Sequence, residues 1–191
     1  MSKRKFMIID LILLTTIGII LEVLGIVVSI KLKKNPEDFW YISLSIVIVL
    51  IGMFRWGKVG FLITFPLNLA TCITYSILKH IEFYYYLIYL IGSSLIILNL
   101  LWFKIIDKKI ISKRLGYCVL YSLTGYLLVA FGRTLVSICI GFKFIDSLKV
   151  FIFGDVFSMV IGAIIMMIVY NQKTILVDID DYLLEIQERC E

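Results

Sequence analysis

Six long apolar runs, separated by short charged connections, constrain this chain more than any other feature of its sequence. One helical crossing of the hydrocarbon core of a bilayer takes roughly 20 apolar residues. The runs cover approximately residues 6–30, 39–54, 60–78, 82–106, 115–142 and 144–170. In this chain 61% of the residues are hydrophobic and 17% are charged, whereas a soluble domain is about half apolar and a quarter charged. The sequence therefore predicts helices that cross a membrane.

The runs predict an all-α integral membrane protein in which residues 1–172 form a compact bundle of six transmembrane helices. The second run is short, and the third contains Pro66, which predicts a kink because proline removes one backbone hydrogen bond. Residues 173–191 carry acidic side chains and a stripe of four apolar residues on one helical face, Leu176, Ile179, Leu183 and Ile186. This pattern predicts a short C-terminal cytoplasmic amphipathic helix, which either caps the bundle or binds a partner.

Lysines and arginines lie at the ends of the apolar runs, where an excess on one side indicates the cytoplasmic face. With both termini in the cytoplasm, the inner segments hold eleven of these residues and the outer segments hold six. The distribution predicts a multi-pass protein of the cell membrane with both termini inside. No basic stripe interleaved with exposed aromatic residues is present, which argues against binding to nucleic acid.

Three of the ionisable residues inside the predicted spans stand out, Glu22, Arg133 and Asp155, because a charge there costs several kcal/mol unless it has a partner. Arg133 and Asp155 lie about ten residues on either side of the outer connection at Lys143. At 1.5 Å per residue, both are about 15 Å from the outer surface, on consecutive antiparallel helices. We therefore expect them to lie at the same depth and to meet, with Glu22 in the outer half of the first span.

Two interpretations of these charges stay open. In the first, Arg133 binds an anionic or carbonyl group of a substrate in a polar pocket open to the outside, with Asp155 and Glu22 as further contacts. In the second, Arg133 and Asp155 form a buried ion pair that locks two helices together. Weaker candidates for stacking or hydrogen bonding to a substrate are Asn68, Trp40 and Tyr126, and two serines lie at a comparable level, Ser93 and Ser94.

Two further features are candidates for contact with a partner protein. The first span carries small or polar residues at spacings of three and four, Thr15, Gly18, Glu22 and Gly25. Small residues at this spacing let another helix approach closely, either from this chain or from a separate membrane subunit. The second feature is the turn at residues 55–58, which includes Arg55 and Trp56 and serves either as an orientation anchor or as a docking point.

The sequence lacks the usual catalytic and metal-binding patterns. The single histidine, His80, falls in an outer connection, and no GxSxG or HExxH motif is present. The residues that histidine-based or serine-based catalysis requires are therefore missing. The four cysteines have no CxxC spacing, and their positions are typical of small packing residues. We therefore predict a protein that is not an enzyme and that holds neither a cofactor nor a metal ion.

Three stretches suggest a family: residues 51–60 after the second span, Gly132-Arg133 in the fifth, and residues 154–158 in the sixth. Together with the length of the chain and its six short spans, they resemble S components of energy-coupling factor (ECF) transporters. These are small membrane subunits that bind the substrate of a vitamin importer. The resemblance implies a pocket near the outer face, lined by spans four to six and covered by the connection at residues 31–38.

The resemblance also implies that the first span contacts a membrane coupling subunit, which two cytoplasmic ATPases drive. The alanine-based pattern usual in that helix is absent here, and Thr15 and Gly18 stand in its place. We therefore predict a substrate-capture subunit of an ATP-driven importer of a vitamin or similar small metabolite. The alternative is a small membrane interaction, accessory or sensor protein whose buried charges are structural.

Overall fold

A computed structural model of the chain describes residues 3–32, 42–79, 82–172, 175, 176 and 179. These residues are mostly helical and contain no strand, which confirms the all-α prediction for this part of the chain. In chain order the helices are α1 (Lys3–Leu32), α2 (Ser45–Trp56), α3 (Thr64–Lys79), α4 (Phe83–Ile105), α5 (Lys108–Lys113), α6 (Leu115–Ile140) and α7 (Phe144–Asn171). A short 3-10 turn, Gly60–Ile63, leads into α3.

Five of the described helices are long and apolar enough to cross a bilayer, namely α1, the continuous segment Gly60–Leu78, α4, α6 and α7. Large apolar side chains are exposed along these helices, for example Ile12 on α1, Ile91 on α4 and Ile168 on α7. Lipid tails are as apolar as these side chains, so a bilayer can cover them. The architecture is compatible with a multi-pass membrane protein.

Helix α2 is different, because it is only 12 residues long and almost all of its residues are buried. The sequence predicted a helix over residues 39–54, but the structure begins it at Ser45 and ends it at Trp56. Residues 42–44 are not helical, and residues 39–41 lie outside the described part of the chain. The later start has a physical cause at Ser43, whose backbone groups bond to side chains of α6 and α7.

Two glycines bring α4 and α6 into close contact. A Cβ atom on Gly92 would lie 2.6 Å from the Cα of Arg133, and one on Gly132 would overlap the carbonyl oxygen of Gly92. A side chain at either position would therefore separate the helices. This crossing lies directly beside Arg133 on α6 and Ser93 on α4, so it fixes the distance between these two residues.

Both α4 and α7 contain one wider π-helical turn, at Ile88–Gly92 and Lys149–Phe153 respectively. Such turns change the direction in which the following side chains project and are frequent at functional sites. The first turn precedes Ser93 and the second precedes Asp155. Each turn therefore ends one or two residues before a residue that bonds to Arg133.

The kink predicted at Pro66 takes another form. Pro66 lies in the first turn of α3, directly after the 3-10 turn Gly60–Ile63. The missing backbone donor of proline is tolerated there, because the first N–H groups of a helix have no partner within it. The proline therefore accompanies a change of helix type and does not bend a continuous α-helix.

The predicted tail helix falls largely outside the described residues. Leu176 and Ile179 are described, and both are buried, with 5% and 3% of their surface exposed. They are the first two members of the apolar stripe in residues 173–191. Leu176 belongs to the same apolar core as Met166 and Val169 of α7.

Candidate functional site

A buried guanidinium lies where four helices meet. Arg133 on α6 is 2% exposed. Its Nε donates to Ser93 Oγ on α4 at 3.0 Å, its Nη1 to Asp155 Oδ2 on α7 at 3.4 Å, and its Nη2 to Asn68 Oδ1 on α3 at 3.5 Å. The guanidinium carbon lies 4.5 Å from the centre of the Tyr89 ring on α4. The predicted meeting of Arg133 with Asp155 is therefore present, and Asn68 belongs to the same cluster.

Two of the three polar contacts of Arg133 are long. A charge-assisted bond between a guanidinium and a carboxylate is usually about 2.7–2.9 Å, whereas Arg133 and Asp155 are separated by 3.4 Å. The bond to Asn68 is 3.5 Å long. Long bonds are weak, so both Nη atoms retain much of their capacity to donate to a stronger acceptor. The ion pair between Arg133 and Asp155 is therefore a loose one.

A second buried cluster surrounds Glu22 on α1, which has no exposed surface. Its carboxylate accepts from the Thr71 hydroxyl on α3 at 2.9 Å and from the Ser43 hydroxyl at 3.1 and 3.3 Å. It also accepts from the backbone N–H of Ser45, the first residue of α2, at 3.2 Å. A carboxylate at a helix N-terminus satisfies donors that the helix itself leaves unpaired. Glu22 therefore fixes the start of α2 against α1 and α3.

Ser43 links this second cluster to α6 and α7. Its backbone N–H donates to Ser158 Oγ on α7 at 2.8 Å, and its carbonyl accepts from the Tyr126 hydroxyl on α6 at 3.0 Å. Gly162 on α7 leaves room for Tyr126, since a Cβ at Gly162 would lie 2.5 Å from the tyrosine oxygen. Irregular backbone inside a membrane protein requires this kind of internal pairing.

The two clusters share helix α3 and sort the predicted site residues into two groups. Asn68 contacts Arg133, and Thr71, one turn further along α3, contacts Glu22. Arg133, Asp155 and Asn68 thus form one group. Glu22 belongs to the other group, in which Tyr126 also lies through Ser43.

Trp40 lies outside the described residues. Sequence reasoning did not find Tyr89, Ser43 or Thr71. Tyr89 lies among several tyrosines, and Ser43 and Thr71 are small hydroxyl residues of a kind common in membrane helices. Ser93 was noticed only for its depth, although its position directly after Gly92 could have indicated a close helix crossing.

The small residues of α1 face the interior of this chain. A Cβ on Gly18 would lie 2.7 Å from Leu67 of α3, and one on Gly25 would lie 2.5 Å from the carbonyl oxygen of Ile42. Thr15 is partly buried and donates its hydroxyl to the Leu11 carbonyl on the same helix. Packing within the chain therefore accounts for Gly18 and Gly25, which is the internal alternative considered for this pattern.

Arg55 and Trp56 make contacts with α1. Arg55 Nη2 lies 2.9 Å from Asp10 Oδ1, and the indole N–H of Trp56 donates to Asp10 Oδ2 at 2.6 Å. The Trp56 ring also packs on Phe6. These contacts tie the end of α2 to the first turns of α1, as an anchor would.

Among the described residues, no group of three or more His, Cys, Asp or Glu side chains could hold a metal ion. The two clusters are instead built from one guanidinium, two carboxylates, an amide, hydroxyls and aromatic rings. Their chemistry is therefore that of hydrogen bonding and charge pairing.

Comparison of the chain with protein-family models, with curated proteins and with solved structures finds no match. The likeness to S components therefore depends on the sequence features described above and stays a prediction.

Proposed function

We propose that the chain crosses the cell membrane six times, with both termini in the cytoplasm. Five helices are long enough by themselves, and α2 with the preceding segment supplies the sixth crossing. The 12 residues of α2 are about 18 Å long at 1.5 Å per residue. The residues before Ser45 would cover the rest of the hydrocarbon thickness of about 30 Å. The excess of lysine and arginine in the inner segments supports the orientation.

We further propose that the protein is a substrate-capture subunit, similar to an S component, of an ATP-driven importer of a vitamin or similar small metabolite. The observation that carries this proposal is the guanidinium of Arg133, which is buried at the junction of four helices and whose bonds to Asp155 and Asn68 are long. A membrane protein that needed only a structural ion pair would gain most from a short one, because desolvation of the charges is costly.

The depth of Arg133 fits capture from outside. It lies seven residues before the end of α6 at Ile140, or about 10 Å from that end of the helix. A carbonyl or carboxylate of the substrate would accept from the two Nη atoms, and a donor group of the substrate would pair with Asp155. The coupling subunit and the two ATPases would supply the energy for release to the cytoplasm.

This proposal is tested by purifying the tagged protein from native membranes and identifying the associated proteins by mass spectrometry. We expect a membrane coupling subunit and two ATPases to accompany it, and Arg133→Ala to retain them because the guanidinium lies inside the bundle. Purification of the chain without these subunits, under conditions that preserve known membrane complexes, would contradict the transport proposal.

The second candidate is a small interaction, accessory or sensor protein whose buried charges only stabilise the bundle. The saturated carboxylate of Glu22 favours it, since both of its oxygens accept bonds that position α2. Deletion of residues 175–191 separates the two candidates. A capture subunit should keep its ligand without the tail, whereas a protein that acts through the tail should lose its partner.

A further inference from the structure

A strongly basic surface lies between α4 and α6. Five cationic residues fall within eleven positions, Lys104, Lys108, Lys109, Lys113 and Arg114. We name residues 104–114 the basic segment; it contains the short helix α5. The one acidic residue in it, Asp107, is used locally, because its carboxylate accepts from the backbone N–H of Lys109 at the start of α5.

The C-terminal tail begins at this surface. Tyr170, at the end of α7, donates its hydroxyl to the carbonyl of Lys113 at 2.8 Å. Ile111 of α5 is fully buried and shares the apolar core with Leu176 of the tail. Ile179 is also buried. The chain therefore leaves the bundle beside the basic segment, with the apolar stripe of the tail turned inward at its first two positions.

The rest of the tail has the opposite charge. Residues 173–191 contain two cationic residues and six carboxylates, at Asp178, Asp180, Asp181, Glu185, Glu188 and Glu191. The remaining stripe residues, Leu183 and Ile186, continue the spacing of Leu176 and Ile179. A helix that keeps this stripe against the bundle would present its acidic sides to the neighbouring cations.

We propose that residues 180–191 dock on the basic segment as an acidic latch within the same chain. Each exposed ion pair contributes little by itself. However, the tail is tethered beside its site, and tethering by a short linker provides effective concentrations in the millimolar range. Several weak pairs and two apolar anchors then suffice for docking, and salt should release the latch because exposed charges are screened.

The chain offers its own probe for this latch, the native Cys190 in the tail. In a Cys139→Ser background, which removes the one exposed cysteine in the described part of the chain, Ser112→Cys introduces a thiol on α5. Lys58→Cys is the matched control, because Lys58 is exposed in the turn before α3. The short connection between α3 and α4 places that turn at the same end of the bundle as the basic segment.

The full-length protein in nanodiscs of neutral phosphatidylcholine is treated with a short bismaleimide, and the intramolecular cross-link to Cys190 is followed by gel shift and mass spectrometry. At low salt we expect Ser112→Cys to cross-link at least about fivefold faster than Lys58→Cys. In about 1 M salt, where the screening length is about 3 Å, the Ser112→Cys rate should fall toward that of Lys58→Cys. Replacement of four tail carboxylates by amides should have the same effect: Asp180→Asn, Asp181→Asn, Glu185→Gln and Glu188→Gln.

Equal rates for the two cysteine variants at low salt would overturn the latch. A fast Ser112→Cys reaction that neither salt nor the four amide replacements slow would overturn its electrostatic basis. In either case an anionic bilayer surface would be the better partner for the basic segment. That alternative predicts protection of Ser112→Cys from maleimide in nanodiscs that contain an anionic lipid, and no protection in neutral ones.

Discussion

The close crossing of α4 and α6 makes one residue, Gly132, a sharp test of how the fold positions Arg133. A Cβ atom at Gly132 would overlap the carbonyl oxygen of Gly92 and would lie 2.8 Å from the Cβ of Leu95. Ordinary contact begins at about 3.4 Å, and the closest obstacle is backbone, which cannot rotate away. The two helices must therefore move apart to accept even an alanine.

Overpacking of this kind typically costs about 1–3 kcal/mol, and the higher helix propensity of alanine returns at most about 1 kcal/mol. We expect Gly132→Ala to lower the melting temperature by several degrees, since about 2–4 °C corresponds to 1 kcal/mol for a chain of this size. The separation should also lengthen the 3.0 Å bond between Arg133 and Ser93, so ligand retention should fall together with stability.

Gly116→Ala is the matched control, because Gly116 lies on the same helix and a Cβ there would meet no atom within 4 Å. It should melt at the wild-type temperature or slightly above. Thermal unfolding in detergent, followed by differential scanning fluorimetry, compares the two variants. If Gly132→Ala melted as high as Gly116→Ala, the close crossing would be wrong, and so would its role in placing Ser93.

Three further predictions concern the buried contacts and the orientation. Tyr126→Phe should destabilise the protein by about 1–3 kcal/mol, because it leaves the buried Ser43 carbonyl without its donor, and a melting temperature equal to wild type would contradict this. Glu22→Gln should lower the melting temperature by a similar amount, because an amide nitrogen cannot accept the bonds that the carboxylate accepts; an unchanged value would show that these bonds contribute little. In intact cells, a membrane-impermeant maleimide should label Cys139 at the outer end of α6 but not Cys190 in the cytoplasm, and the reverse pattern would invert the proposed topology.

The positions of Arg133 and Asp155 along their helices were sufficient to predict from the sequence alone that the two residues meet. Arg133 lies before a short connection and Asp155 lies after it, at similar distances along the sequence. Two antiparallel helices place such residues side by side. The end of α6 was also predictable: the helix was predicted over residues 115–142 and extends to Ile140, where Gly141 takes a left-handed conformation. Such a glycine is a common way to end a helix.

The start of α2 was not predictable, because residues 42–44 continue an apolar run and carry no turn signal. Their non-helical conformation is stabilised by Tyr126 and Ser158, which bond to the Ser43 backbone, and by Glu22, which accepts from the Ser43 hydroxyl. These three partners lie on three other helices. No local pattern encodes partners so distant in sequence.

The contact partners of the small residues of α1 were also not predictable from a local pattern. The spacing of Gly18 and Gly25 predicts a close helix contact, but only the three-dimensional arrangement shows that the contacts belong to Leu67 and Ile42 of the same chain.

The central claim is that Arg133 captures a small molecule, and it is tested most directly by mass spectrometry of metabolites released from the purified protein. The wild type and Arg133→Ala should be extracted in parallel into lipid nanodiscs, with matched protein amounts and a melting curve for each. We predict a near-stoichiometric metabolite on the wild type and at least about tenfold less on the folded variant, which corresponds to about 1.4 kcal/mol or more. The same metabolite in equal amounts on both proteins, or none on the wild type, would contradict the account and favour a purely structural role for the buried charges.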